Sequence, residues 1–564
     1  MTKWEFPVLG VKIHPMVPPR LMKWALIPIL LGVITPLLSA SQASSATEGS
    51  KTVEFSLTDS QYGFWLQSRL FGFTFKPGTI DIDQRLTCSA WNDPACANAD
   101  QLLGELIMRP CATPADRGCI EAVEVGSTSN SSSSDMERLK LLEESPSSPI
   151  PAVRFTGRNA NDFYDVPAGG GVSVWESEKK DSTGAPKRYM AHVLTRYSFF
   201  CGDLKRFVGD FVIAGERPCA IATIEFKGSL IPVTLVPKSG ECSFFALKDR
   251  CIEAADFAGD EKLALTLRQD RSRTGWLFGR MSDAEFSVAS LDSAFNRVRI
   301  AGGAVFVPPL KAVVEKSEIS RNPKLERFLR ARFNGENGRV TYQQFLQDPR
   351  TIVDRQIYDS WEIFDAFEEN LKPVALTANK NPFNVTPKTN SILWNFASAI
   401  YDGSDLHPCS ADKSKLHGLV VTNAPLYASG PPKFQQGSLD YKVAGVHRNE
   451  DGSLFRGRYT FVVRSDTARC YYGFSTAPIE AKVEVLSSNG ENQVATTTVN
   501  ERNGFLTLAA AGFTFSAPVI KATLTQVPET KKIASITCKR GSKTVTIAAG
   551  KKKAKCPAGY KKSR

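Results

Sequence analysis

Side chains of the types that bind zinc lie close together near residue 410. His407, Cys409 and His417 follow one another at short spacing, with Asp405 beside them. Thiolate, imidazole and carboxylate groups are the usual protein ligands of zinc. Cys409 is nevertheless expected in a disulfide, because the number of cysteines is even. His407 and His417 are therefore only weak metal candidates, and we expect neither a metal nor another cofactor.

Two further patterns could support hydrolysis. Paired carboxylates catalyse glycoside hydrolysis, and acids crowd one short stretch at Asp359, Glu362, Asp365, Glu368 and Glu369. Such crowding is more typical of a solvated helix face. Two Ser-x-x-Lys matches, at Ser177 with Lys180 and at Ser410 with Lys413, lack any partner motif. G-x-S-x-G, H-E-x-x-H, phosphate-loop and dinucleotide-binding motifs are missing from the sequence. The sequence thus favours a non-enzymatic protein, with a secreted hydrolase of cell-wall glycan or peptide as the alternative.

Two other binding patterns are weaker still. The stretch "FNGENGRVTYQQF", residues 333–345, has the turn spacing of a calcium loop between two helices. Only Asn337 offers a side-chain ligand at the aligned positions, so we expect a helix–loop–helix without metal. Four tryptophans could stack against a glycan, although burial in a core is their commoner fate: Trp65, Trp91, Trp175 and Trp276.

Positive charge is concentrated at one end of the chain. The whole sequence carries a net charge of +12, yet residues 531–564 hold 12 Lys and Arg and no acid. Residues 47–530 are close to neutral, at −3. A polyanion is the natural partner of such a segment, and export would make an anionic cell-wall polymer or a membrane surface the expected partner rather than nucleic acid. The proposed binding residues are Lys551, Lys552, Lys553, Lys555, Lys561 and Lys562.

The basic segment also has the pattern of a small folded ribbon. "ITCKR" and "TVTI" resemble strands and are joined by Gly541-Ser542. A pair between Cys538 and Cys556 would close the loop and stabilise it by about 3 kcal/mol in the chain-entropy model. We predict a disulfide-stapled ribbon that displays its lysines. The alternative is a solubilising tail with no partner.

Twelve cysteines follow the N-terminal region, and an even count in an exported chain predicts disulfides. The simplest proposal pairs neighbours along the chain: Cys88 with Cys96, Cys111 with Cys119, Cys201 with Cys219, Cys242 with Cys251, Cys409 with Cys470, and Cys538 with Cys556.

The first 46 residues have the pattern of a secretory signal. Lys23 precedes an uncharged apolar run from Trp24 to Ser39, and cleavage after Ala43 or Ala46 fits the small-x-small rule. Translation from Met22 would give a signal of ordinary length. We therefore expect a secreted or surface-attached protein. The alternative is an uncleaved N-terminal anchor.

Strand patterns dominate the remaining sequence, so we predict a mainly β, multidomain, β-sandwich-like fold. The predicted segments are an N-terminal β-rich region with short disulfide loops (47–125), a Ser/Pro-rich flexible insert (126–151), a β-rich domain (152–318), a helical insert (319–405), a C-terminal β-sandwich-like domain (406–530) and the basic tail (531–564). In the C-terminal β-sandwich-like domain, "TFVVRS" and "KVEVLS" alternate as strands with one buried face do.

Three helices are expected in the helical insert. The first begins at Asn322-Pro323, the second at Asp348-Pro349, and the third covers "NSILWNFASAIYDG", ending at Gly403. A short echo, Cys-Ile-Glu-Ala after a disulfide loop, occurs at Cys119 and again at Cys251. It suggests two related β subdomains.

The tail motif Cys-x-(Lys/Arg)-Gly followed by Cys-Pro-x-Gly-Tyr-Lys-Lys resembles the C-terminal tails of many secreted actinobacterial proteins. The segments "CIEAVEV", "GWLFGR", "SDTARCYYGF" and "GFLTLAAAGFTFSAPVIKATLTQ" resemble parts of exported proteins of that group whose activity is unknown. The resemblance implies lineage and export, and no catalytic residue or ligand. The favoured hypothesis is a non-enzymatic surface protein held by its basic tail. A third interpretation is a structural envelope component that self-associates through its sheets.

Overall fold

A computed structural model confirms a mainly β fold with a stapled C-terminal ribbon. The structure describes residues 52–58, 66–76, 82–129, 135–145, 149–157, 163–180, 184–201, 210–214, 217–242, 245–270, 275–308, 310–333, 341–347, 352–356, 392–398, 407–412, 415–428, 430–445, 449, 453–476, 479–486, 493, 495–515, 519–526, 535–548 and 555–562. The predicted signal peptide, residues 1–46, lies outside these ranges.

In the described residues, strands account for most of the regular structure, and short α-helices occur within residues 316–347 and 465–472. The first strands are β1 (Thr52–Thr58), β2 (Arg69–Phe75), β3 (Ile82–Thr87), β4 (Gln101–Met108), β5 (Cys119–Ser127), β6 (Glu137–Arg138), β7 (Lys140–Glu144), β8 (Val153–Gly157), β9 (Phe163–Val166), β10 (Gly169–Gly170), β11 (Ser173–Lys180) and β12 (Pro186–Cys201). Then follow β13 (Asp210–Ala214), β14 (Arg217–Pro237), β15 (Phe245–Ala246), β16 (Arg250–Ala254), β17 (Glu261–Asp270), β18 (Trp276–Arg280), β19 (Ser282–Ser290), β20 (Phe295–Gly303), β21 (Val305–Phe306), β22 (Leu310–Glu315), β23 (Ile352–Gln356), β24 (Ile392–Leu393) and β25 (Asn395–Ser398). The last strands are β26 (Gly418–Thr422), β27 (Leu426–Tyr427), β28 (Lys433–Gln435), β29 (Ser438–Ala444), β30 (Gly457–Arg464), β31 (Ile479–Leu486), β32 (Thr496–Arg502), β33 (Phe505–Phe513), β34 (Val519–Gln526), β35 (Ser535–Arg540), β36 (Lys543–Ala548) and β37 (Lys561–Lys562). The helices are α1 (Lys316–Ile319), α2 (Pro323–Arg332), α3 (Tyr342–Gln347) and α4 (Ser465–Tyr472).

One continuous sheet connects distant parts of the chain. Its neighbouring strands run in the order β3, β2, β4, β12, β14, β25, β18, β26, β30, β33, β32. All neighbours are antiparallel except β18 and β26. Because β25 pairs with both β14 and β18, this central sheet crosses the sequence positions at which we predicted domain boundaries.

Two smaller sheets pack on opposite faces of the central sheet. A five-stranded sheet in the order β19, β20, β17, β5, β6 shares one core with it, and the sheet β27, β29, β34, β31 shares another. In β26, Leu419 and Val421 enter the first core and Val420 enters the second. Burial on both faces explains the continuous apolar run of this strand.

Burial on both faces also contradicts the alternation of buried and exposed residues predicted for one strand of the C-terminal β-sandwich-like domain. Phe461 and Val463 of β30 lie in one core and Val462 lies in the other. The segment "TFVVRS" therefore has no solvent-exposed face. In β31, by contrast, Val483 and Val485 are buried and Lys482 is exposed, which confirms the alternation of "KVEVLS".

The helical insert is only partly helical. Helix α2 begins where predicted, and the Asn322 side chain accepts a hydrogen bond from the Leu325 amide at 3.1 Å. The second and third predicted helices are wrong where the structure describes them, because residues 352–356 form β23 and residues 392–398 contain β24 and β25. Residues 357–391 lie outside the described ranges. β25 lies between β14 and β18 and is buried on both faces. The apolar residues of "ILWNFAS" therefore lie on two faces of a sheet rather than on one face of a helix.

The predicted insert at 126–151 also contributes strands. β6 pairs with β5, and β7 pairs with β11, so residues 137–138 and 140–144 of this insert belong to sheets. The two copies of the Cys-Ile-Glu-Ala motif lie in strands β5 and β16, which pair with different strands. β5 pairs with β17, whereas β16 pairs with β14.

All six predicted cysteine pairs form disulfides, at sequence separations from 8 to 61. Six disulfides in one chain are typical of an oxidising, extracellular environment. No helix in the described part of the chain is long and apolar enough to cross a membrane.

Candidate polyanion-binding ribbon

The C-terminal ribbon is a three-stranded sheet with β35 in its centre. A two-residue turn, Gly541-Ser542, joins β35 to β36. Gly541 has φ of 60°, which suits a hairpin turn with glycine at its first central position. β37 pairs with the other edge of β35, placing Lys561 opposite Lys539.

A disulfide fixes the last strand against this hairpin. Cys538 is fully buried and bonds to Cys556. Gly559 has φ of 83°, and a Cβ at this position would lie 3.4 Å from the Arg540 guanidinium. The loop from Cys556 to Gly559 therefore lies over the face of β35 that carries Cys538 and Arg540. Both the staple and the glycine of the tail motif hold this loop in place.

Like charges face one another across the strands of the ribbon. Arg540 is directly opposite Lys543, and Lys539 is directly opposite Lys561. Residues in this relation have Cβ atoms roughly 5 Å apart, and equal charges there are destabilising. All four side chains are exposed, and the sequence supplies no acid between residues 531 and 564. The ribbon therefore holds positive charge that its own segment does not neutralise.

The predicted binding lysines are only partly within the described residues. Lys555, Lys561 and Lys562 are described and exposed, whereas Lys551, Lys552 and Lys553 lie outside the described ranges. Sequence reasoning missed Lys539, Arg540 and Lys543 as binding residues. The hairpin pattern of "ITCKR", Gly541-Ser542 and "KTVTI" could have shown Arg540 opposite Lys543, whereas the pairing of Lys539 with Lys561 had no signal in the sequence.

Cations in the central sheet have a different environment. Arg69, Glu105, Arg196 and Glu225 are direct neighbours on four adjacent strands, so opposite signs alternate across the sheet. Arg196 donates to Glu105 at 2.6 Å and to Glu225 at 3.3 Å. Burial lowers the pKa of Lys227, which lies 3.7 Å from Glu225. These cations are neutralised within the fold, unlike those of the ribbon.

The weak zinc candidates have other roles. Cys409 is in a disulfide, and His407 Nδ1 accepts from the Cys409 amide at 3.3 Å. Both ring nitrogens of His417 are engaged, with Thr467 Oγ1 at 3.0 Å and the Asp412 carbonyl at 2.9 Å. Among the described residues no three His, Cys, Asp or Glu side chains gather as a metal site. His417 instead stacks on Trp276, with ring centroids 5.9 Å apart.

Burial of His417 should make the free energy of unfolding depend on pH under acidic conditions. Burial lowers its pKa from the ordinary value of 6.5. Below about pH 6.5 the unfolded chain therefore binds more protons than the folded chain, and the free energy of unfolding falls until the pH passes the lowered pKa. Denaturant titrations across this window should show the fall in the wild type and a smaller fall in His417→Gln. His407→Gln keeps His417 and should keep the fall. An equal pH dependence in the wild type and His417→Gln would refute the assignment.

The hydrolase patterns receive no support from the described residues. The acidic stretch from Asp359 to Glu369 lies outside the described ranges. Ser177 Oγ donates to Glu137 at 2.8 Å, and Ser410 Oγ accepts from the Tyr471 hydroxyl at 2.8 Å. Hydrogen bonds inside the fold thus occupy both serines of the Ser-x-x-Lys matches.

The remaining binding patterns are structural where they are described. Trp91, Trp175 and Trp276 are each at most 5% exposed, so they form no glycan-stacking surface. Trp65 lies outside the described residues. Near the calcium-like loop, Gln344 Oε1 accepts from the Thr341 amide at 2.8 Å. This contact caps the N-terminus of α3. It uses the side chain of Gln344, the residue that aligns with the bidentate acid of a calcium loop.

Comparison with known proteins adds no functional assignment. No model of a known protein family matches the chain, and no curated protein matches it significantly.

Proposed function

We propose that this is an exported cell-surface or extracellular protein without enzymatic activity, whose basic ribbon binds anionic polymers of the cell envelope. One observation carries the proposal. Two directly opposed pairs of like charge, Arg540 with Lys543 and Lys539 with Lys561, are exposed on a stapled ribbon. A bound polyanion would remove the repulsion within each pair and release the counterions that surround the free ribbon.

The location of the charge supports the same function. The body of the chain is nearly neutral, and the ion pairs of its central sheet balance one another. A polyanion would therefore be drawn to the C-terminal segment rather than to the body. The six disulfides and the predicted secretory signal agree with an extracellular site of action.

Removal of the ribbon charges should weaken binding to isolated cell walls roughly 100-fold. This figure takes about 0.5 kcal/mol for each of six exposed cations, within the usual range for surface charges. The variant carries glutamine at all six: Lys539, Arg540, Lys543, Lys555, Lys561 and Lys562. The measurement is the amount of purified protein that sediments with the walls as its concentration is raised, at physiological ionic strength.

A matched variant separates local charge from total charge. It carries six Lys→Gln changes at exposed positions of the body: Lys140, Lys179, Lys180, Lys248, Lys433 and Lys482. It loses the same net charge and should bind nearly as well as the wild type. The proposal fails if the two variants bind equally, or if the wild type does not bind.

A further inference from the structure

The cations of the ribbon are divided between its two faces. Residues directly opposite one another across a sheet share a face, and successive residues of a strand alternate. Lys539 and Lys561 therefore lie on one face, which we name the lysine face. Arg540 and Lys543 lie on the other, which we name the arginine face. Lys562, which is opposite Cys538, adds a single cation to the arginine face. Each face thus carries one opposed pair of positive charges.

The loop from Cys556 to Gly559 covers part of the arginine face at β35, and both faces are open to solvent at β36. Lys543, Thr544, Val545 and Thr546 are consecutive and all exposed. Consecutive exposed residues in a strand mean that neither face of that strand is covered. On the lysine face, Thr544 is opposite Lys539, so a hydroxyl stands beside the charged pair. Ammonium and hydroxyl groups together suit the oxygens of a phosphate or carboxylate polymer.

The two charged pairs act independently of one another. Their charged ends project from opposite sides of the ribbon and are separated by roughly 10 Å or more. Interactions between exposed charges decay over about 8 Å at physiological ionic strength. An anion on one face therefore leaves the repulsion on the other face largely unrelieved, and each pair requires its own counter-charge.

The shape of the ribbon distinguishes between two kinds of partner. A flat membrane can contact only one face at a time, whereas a flexible chain can pass along either face, and two chains can pass along both. We propose that the ribbon binds a linear polyanion on its lysine face and a second segment on its arginine face, and so cross-links polymer segments. This inference rests on the proposed function and extends it from attachment to cross-linking.

Long-chain inorganic polyphosphate is the probe for the test. One variant removes the lysine-face pair (Lys539→Gln, Lys561→Gln) and another removes the arginine-face pair (Arg540→Gln, Lys543→Gln). A matched variant removes one charge from each face (Lys539→Gln, Lys543→Gln). Light scattering reports cross-linked complexes, and fluorescence anisotropy of labelled polyphosphate reports binding. The protein alone, over the same concentrations, gives the scattering due to self-association.

The wild type should bind and produce strong scattering with polyphosphate. Each single-face variant should still bind, within roughly 10-fold of the wild type, but lose most of the scattering. The matched variant should keep more scattering than either, at a similar affinity. Equal scattering by all three variants would overturn the two-face proposal, and so would scattering by the protein alone that accounts for the whole signal. Absence of binding by the wild type would instead overturn the proposed function.

Anionic vesicles provide the second arm. Because one face suffices on a plane, at least one single-face variant should bind vesicles of phosphatidylglycerol within a few-fold of the wild type. If both single-face variants lose vesicle binding and polyphosphate scattering to the same degree, the faces do not act separately and the proposal is wrong.

Discussion

Replacement of Phe396 by alanine should lower the free energy of unfolding by roughly 3–5 kcal/mol, the usual cost of removing a buried phenylalanine. Phe396 is fully buried in the middle of the central sheet. It is directly opposite Gly228 on β14 and Gly279 on β18. Its ring fills the space above Gly228, where a Cβ would lie 2.3 Å from the ring. The substitution therefore opens a cavity at the junction between strands from distant parts of the chain.

Denaturant unfolding followed by tryptophan fluorescence measures this loss. Val499→Ala is a suitable control, because Val499 is 38% exposed on the end strand β32. Surface changes of this kind usually stay within about 0.5 kcal/mol. A loss below about 1 kcal/mol in Phe396→Ala would show that β25 does not join the two halves of the central sheet.

Removal of the Cys409–Cys470 disulfide should destabilise the protein by about 4 kcal/mol in the chain-entropy model. This bond has a sequence separation of 61, the largest among the six. It connects a single 3-10 turn at Pro408–Ser410 to helix α4. The double change Cys409→Ala and Cys470→Ala avoids a free thiol, and Cys470 is exposed, so little packing is lost at that end. Chemical denaturation under non-reducing conditions measures the effect.

The comparison is the double alanine variant of Cys111 and Cys119. Its sequence separation is 8, which predicts a smaller loss of about 2.5 kcal/mol. Cys119 is buried, so a cavity there would add to that loss and reduce the difference between the two variants. A loss of about 2.5 kcal/mol or less on removal of Cys409–Cys470, no more than the shorter loop predicts, would contradict the loop-length explanation.

Sequence reasoning succeeded where neighbours along the chain determine the structure. Each short disulfide loop closes between nearby cysteines, and Asn322 caps α2 as its position predicts. It failed where both faces of a strand are buried. β25 and β30 lose the period-2 alternation that identifies a half-exposed strand, and β25 then resembles a helix segment.

The candidate site shows the same limit at the level of single residues. A lysine run such as Lys551–Lys553 is conspicuous in the sequence. The opposed pairs depend on strand register, which joins Lys539 to Lys561 across 22 positions of the chain. Composition located the charge, but only the pairing of β35 with β36 and β37 showed that each face carries its own pair.

The most direct test of polyanion binding is the affinity of the purified protein for long-chain polyphosphate as a function of salt concentration. We predict that the logarithm of the association constant falls steeply with the logarithm of salt, because each neutralised phosphate releases counterions. The slope should be much shallower for the variant with glutamine at the six ribbon cations, and nearly unchanged for the matched body variant. Binding that is insensitive to salt, or equal slopes for the two variants, would contradict the claim that the ribbon is the polyanion-binding element.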